Sequence, residues 1–243
     1  MPISLARVAI LVLALLGLSG VARADDLADF NAAVEAAAAH NRVAIGYLRT
    51  GNVDLASIEL DRLRAAWGAL NARFAGKRPA VFAGNPLYVT AMTDIAMRLV
   101  TADMMLNSGR PEIAAQSLNA IREDLYKLRK SGGVAVLADC VFDANAVMDA
   151  LMVYNDRSLD WSKPETGPAI AAKATAYGSI LDRCDRMADE AVRKDAEFRR
   201  LVDGAKASLA LIPKAIAARD ADLLHRVLIE LRSFDNLLAF RFG

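Results

Sequence analysis

Histidine and cysteine are nearly absent from this chain, at two residues each in 243. His40 and His225 lie far apart, Cys140 and Cys184 lack a Cys-x-x-Cys spacing, and neither cysteine has a neighbouring histidine. A structural zinc site needs several such ligands at short, regular spacings, so none is expected. Also missing are a glycine-rich phosphate loop, a nucleophile elbow, a His-Glu-x-x-His helix and a repeated Glu-x-x-His pair, the signatures of common hydrolase, nucleotide and di-iron chemistries. Clusters of proline, glycine and β-branched residues are sparse, which argues against a sheet.

Long apolar runs are scarce too, and the one present is N-terminal. Arg7, the eleven residues from Val8 to Leu18 and the Ala22-Arg-Ala24 exit read as a cleaved secretory signal over residues 1–24,. The run is shorter than the roughly 20 residues a bilayer crossing requires. The mature chain is expected to start at Asp25, to be periplasmic and to hold no membrane span. Without Arg7 and Arg23 it carries 28 basic and 29 acidic residues, both signs interspersed. That balance argues against a nucleic-acid partner.

What the chain does contain is Ala, Leu, Arg and acidic residues at three- and four-residue spacing almost throughout, the mark of an all-α protein. Three stretches resemble one another: Tyr47 to Arg64, Met105 to Arg122 and Ala215 to Arg232. Each reads as a helix end, a tight turn and a new helix. Around them the pattern predicts helices over 27–49, 53–74, 87–107 and 111–131, then 134–155, 168–191, 198–218 and 221–242. Pro213 is expected to kink the seventh.

The second and third hairpins are 110 residues apart, and the same offset matches other segments. Leu27-Ala-Asp29 falls on Leu137-Ala-Asp139, Ala66-Trp-Gly-Ala-Leu70 on Ala176-Tyr-Gly-Ser-Ile180, and Gly133 on Gly243. One ungapped shift that aligns several helices implies a duplication. The expected architecture is two tandem up-down-up-down four-helix bundles, 25–133 and 134–243, because short connections join antiparallel neighbours.

In an exported protein the two cysteines are expected to pair. Cys140 and Cys184 straddle the loop near residue 162, at equal height on adjacent antiparallel helices. Under the offset they replace Phe30 and Phe74, so a facing aromatic pair in one unit becomes a thiol pair in the other. A bridge closing 44 residues stabilises by up to about 4 kcal/mol on the chain-entropy estimate,.

The hairpin carrying Tyr47, Gly51, Ala56 and Leu60, echoed by Gly109, Ala114 and Leu118, resembles half of a tetratricopeptide repeat, although its copies stand 58 and 110 residues apart rather than 34,. In export, unit length and helix order each half is similar to the cytochrome c-prime family of four-helix bundles. That resemblance implies the bundle. The family's Cys-x-x-Cys-His haem attachment would fall in the last helix of a unit, and neither 113–131 nor 221–242 contains a cysteine.

Two functions remain. The first is a non-enzymatic periplasmic binding or adaptor protein without a cofactor, whose partner is another periplasmic or envelope protein. It would use the groove between units and the C-terminal helix, where Leu228, Leu231, Phe234, Leu238 and Phe242 form a stripe with Leu237 and Phe240 beside it. Phe234, Leu237, Phe240 and Phe242 are its candidate contacts. The second is a haem- or copper-handling bundle with thioether ligands from Met97, Met104, Met148 or Met152, of which the last two share a helix face.

Overall fold

The computed structural model describes the backbone from Leu5 and the side chains from Asp26 to Gly243. The leader expected over residues 1–24 lies outside the residues described with side chains. Among the described residues the secondary structure is helical without a strand: α1 Leu5–Arg49, α2 Val53–Phe74, α3 Pro86–Asn107, α4 Pro111–Ser131, α5 Leu137–Met152, α6 Thr166–Met187, α7 Glu190–Lys194, α8 Ala196–Leu209, α9 Ile212–Ala218 and α10 Ala221–Phe242. None of the helices searched is long and apolar enough to cross a membrane.

The chain divides into two compact units, Met1–Val134 and Ala135–Gly243. In the first, α1 packs on α2, α2 on α3, α3 on α4 and α4 back on α1. Its core takes Phe30 and Val34 from α1, Leu60, Leu63 and Trp67 from α2, Ile95 and Leu99 from α3, and Leu118, Ile121 and Leu128 from α4. In the second, α5 packs on α6, α6 on α8 and α9, and α10 on α5, α8 and α9.

Burial repeats at the 110-residue offset. The pairs Val34/Ala144, Leu60/Ile170, Trp67/Tyr177, Met92/Val202, Ile95/Ala205, Leu118/Leu228 and Leu128/Leu238 are all buried. The third helix, which the sequence comparison leaves unmatched, therefore follows the same register.

The level nearest the α1–α2 base is the most informative. Phe30 and Phe74 meet edge to face with centroids 5.3 Å apart. At the equivalent positions Cys140 and Cys184 form the disulfide between α5 and α6, with Cα atoms 5.4 Å apart. Phe82, from a short 3₁₀ turn, and Tyr88 complete the aromatic cluster around Phe30. Phe82 needs room, and Gly132 provides it: a Cβ there would stand 2.5 Å from the ring. In the second unit the sizes are exchanged. Val192 replaces Phe82, Phe242 replaces Gly132, and Phe242 packs edge-on to Phe198, 5.1 Å between centroids.

All three resembling hairpins close the same way. The first residue past each turn donates its amide five residues back, Asn52 to Tyr47 (2.9 Å), Arg110 to Met105 (2.8 Å) and Asp220 to Ala215 (2.9 Å). This closure requires a left-handed residue at the turn. Gly51 and Gly109 supply it with φ of 77° and 68°, but the third hairpin uses Arg219 at φ 52°.

Helix boundaries in the second unit depart from the expected ones. Val136 is extended, so α5 begins three residues late, at Leu137, and it ends at Met152 instead of Asn155. Helix α6 opens at Thr166, before Pro168, and stops at Met187, because Ala188 is extended and Asp189 caps the separate α7. The expected kinked seventh helix is two helices. Pro213 has no amide for the Leu209 carbonyl, so α8 ends there and α9 starts anew with the proline in its first turn,.

Arg219→Gly is expected to raise unfolding stability by about 0.5–1 kcal/mol, since glycine removes the left-handed strain at some entropic cost. Urea melts of the two proteins check it; a lowered midpoint would show that the arginine side chain outweighs its backbone strain.

Candidate functional site

Helix α3 is apolar on two sides. Asn85 caps it by accepting from the Leu87 amide at 3.0 Å, and Pro86 takes the first helical position. One face, Tyr88, Met92, Ile95, Leu99, Ala102 and Leu106, is buried. The opposite face carries Val89, Thr93, Met97, Val100 and Met104, at steps of four, four, three and four residues, and all five are exposed. Met97 is 64% and Val100 59% accessible.

From Val89 to Met104 the ridge runs about 22 Å at the helical rise of 1.5 Å per residue. Two of its flanking charges are tied to neighbouring helices, while the third, Asp94, is half-buried beside the ridge. Arg98 pairs with Asp124 of α4, Nε to Oδ2 at 2.5 Å, and Asp103 meets Arg64 of α2 at 3.4 Å. These pairings keep Arg98 and Asp103 off the crest. Leu55 and Ile58 on α2 and Ile113 on α4 are also exposed in this unit. An uncharged ridge containing two flexible thioethers suits an adaptable protein contact.

The residues expected on the C-terminal helix behave differently. Phe234 lies over Gly204, where a Cβ would stand 2.6 Å from its ring. Leu237 packs on the second unit's core and Phe242 on Phe198. Phe240 is the outward one, at 38% exposure. The apolar stripe on α10 is broad because that helix meets α5, α8 and α9 of its own unit.

Of the four methionines singled out, Met97 and Met104 stand on the exposed α3 ridge of the first unit. Met148 is fully buried in the second core and Met152 packs against it. The histidines each have one polar neighbour: His40 Nδ1 lies 2.7 Å from Glu59 Oε2, and His225 Nδ1 lies 2.6 Å from Asn155 Oδ1. Among the described residues no three His, Cys, Asp or Glu side chains converge on a point that could hold a metal.

Sequence reasoning overlooked a buried polar network in the second unit. Asp235 is 1% exposed; it accepts from the Tyr177 hydroxyl at 3.3 Å and from Arg232 Nη1 at 3.1 Å, and it is also hydrogen-bonded to Asn145. Arg232 reaches on to Asp149 at 2.6 Å. The signal was available in the offset, which sets Asp235 against the buried Leu125 and Tyr177 against Trp67. The indole Nε1 of Trp67 has no hydrogen-bond partner, whereas the Tyr177 hydroxyl has Asp235.

Burial drives the Asp235 carboxyl above the usual carboxylate range, partly opposed by Asn145, Arg232 and Tyr177,. Burial, and then Asp235 itself, pushes the Tyr177 hydroxyl up as well. The carboxyl is shut inside the unit and ties α10 to α6, so its role is to hold helices together.

The chain matches no protein-family model, no curated protein and no solved structure.

A carboxyl raised in the folded state favours folding most at acid pH, and that contribution is lost as pH rises through its folded value. Asp235→Asn keeps an acceptor for Tyr177 and removes the titration. Its stability relative to the parent should therefore improve between about pH 4 and pH 7, read from urea melts at each pH. A difference that stays constant, or moves the other way, would contradict the assignment.

Proposed function

We propose that the protein is a non-enzymatic adaptor of the periplasm, exported by its leader, that binds another envelope protein through the uncharged ridge of α3. The observation that carries this reading is the ridge itself: Val89, Thr93, Met97, Val100 and Met104 are exposed in one line, with Arg98 and Asp103 drawn to either side. A helical face of this kind suits a partner helix that lays its own apolar residues along it. Phe240 on α10 offers a smaller second contact.

The scaffold in this proposal is a tandem duplication of one up-down-up-down four-helix bundle, 25–133 and 134–243. Support comes from the repeated burial at offset 110, the matching helix neighbours and the common hairpin closure. Export is supported by the cysteine bridge, since such bonds persist in oxidising compartments,.

A photo-reactive amino acid placed at Met97 should cross-link the full-length protein to one discrete partner in intact cells, while the same probe at exposed Lys194 should not. Val100→Glu, which leaves the core untouched, should abolish the product without lowering the melting temperature. Equal labelling from both positions, or none from Met97, would contradict the proposal.

A further inference from the structure

The second unit contains an open cleft of about 530 Å³ between α6 and the broken α8–α9 segment. Its α6 wall consists of Ala171, Ala174, Thr175 and Gly178, and Leu209, Ile212, Pro213 and Ile216 supply most of the other. The duplication explains why space is left here. Ala174 and Pro213 occupy the positions of Arg64 and Asp103, and in the first unit that arginine reaches the aspartate from α2 to α3 at 3.4 Å. The second unit has lost both charged side chains of that bridge, and Pro213 has broken the helix that carried one of them.

The lining determines what can enter. Its two polar side chains are already engaged: the Thr175 hydroxyl donates to the Ala171 carbonyl at 2.9 Å, and Lys206 is paired with Asp182 at 2.6 Å. With both of these side chains engaged and the rest of the lining apolar, a polar group buried in the cleft would give up its water for few new partners, at a real cost,. The portion inside must therefore be hydrocarbon, and the open mouth leaves a polar head in water.

Size separates a small molecule from a docked helix. The volume falls within the few hundred to about 1,000 Å³ typical of small-molecule sites. Along α6 the wall extends only from Ala171 to Gly178, about 10 Å at 1.5 Å per residue. A stable protein interface needs roughly 800 Å² from each partner, far more than two helical turns provide.

We infer that this cleft binds the hydrocarbon chain of a single-chain amphiphile, a fatty acid or lysophospholipid, and recognises the chain rather than the head. The site is independent of the α3 ridge, so either proposal can fail alone.

The test uses the full-length protein and the neutral fluorophore N-phenyl-1-naphthylamine. Fluorescence enhancement on binding, reversed by dodecanoate or by a lysophosphatidylcholine, is the expected result. Displacement by both shows that the head is not read; displacement by one alone would show that the head is read and would overturn the chain-only recognition.

The paired substitution Ala174→Arg with Pro213→Asp rebuilds the first unit's ion pair and should weaken probe binding at least tenfold. Gly178→Leu fills the cleft from the α6 wall alone, where a Cβ would stand 3.5 Å from Leu209 Cδ1, and should act likewise. Circular dichroism melts establish which variant is folded, and either folded one suffices. Absence of probe binding, no displacement by either amphiphile, or undiminished binding in a folded filled variant would each overturn the inference.

Discussion

The contact on which each unit depends is made between its first two helices. In the first unit it is the edge-to-face pair Phe30–Phe74, and in the second it is the bond Cys140–Cys184. Both join residues 44 apart around a helical hairpin, and both fix the register of the helix pair onto which the remaining helices pack. A ring pair contributes dispersion and burial only in the folded state. A disulfide acts chiefly by restricting the unfolded chain. The same geometric requirement is met by two unrelated sources of free energy.

Once register is fixed, positions 110 residues apart differ by linked changes. Phe82 with Gly132 becomes Val192 with Phe242, so the aromatic ring moves to the other of the two positions. Trp67 with Leu125 becomes Tyr177 with Asp235, so an apolar level becomes a hydrogen-bonded one. Arg64 with Asp103 becomes Ala174 with Pro213, and a bridged groove becomes an open one. The helix neighbours are kept throughout: the first two changes are compensated at their own level, and the third is left as open space beside a broken helix. The first unit keeps its grooves bridged by charge and presents a ridge, while the second closes its core with polar bonds and leaves a cleft.

The all-helical class, the hairpins, the 110-residue shift and the cysteine pair were legible because each rests on a local pattern or on matched spacing. The α8–α9 break was misplaced as a kink, since whether a helix bends or ends at proline depends on what packs around the freed Leu209 carbonyl. The α3 ridge was harder still. Its helix carries apolar residues on two opposite sides, so periodicity alone does not say which lies inward; the packing of Ile95 and Leu99 in the core of α2 and α4 leaves Met97 and Val100 outside. The packing of Phe234 over Gly204 and of Phe242 on Phe198 was hidden from the sequence for the converse reason, as the space they fill appears only when the helices are assembled. Asp235 could have been found by asking which core position changes from apolar to charged under the offset.

The central claim is that the disulfide does for the second unit what the Phe30–Phe74 pair does for the first. Residue-resolved hydrogen exchange with and without reductant tests it directly. Reduction should lower the opening free energy of α5 and α6 by about 2–4 kcal/mol and leave α1 and α2 unchanged. Equal loss of protection in α1 and α2, or no loss in α5 and α6, would contradict the account.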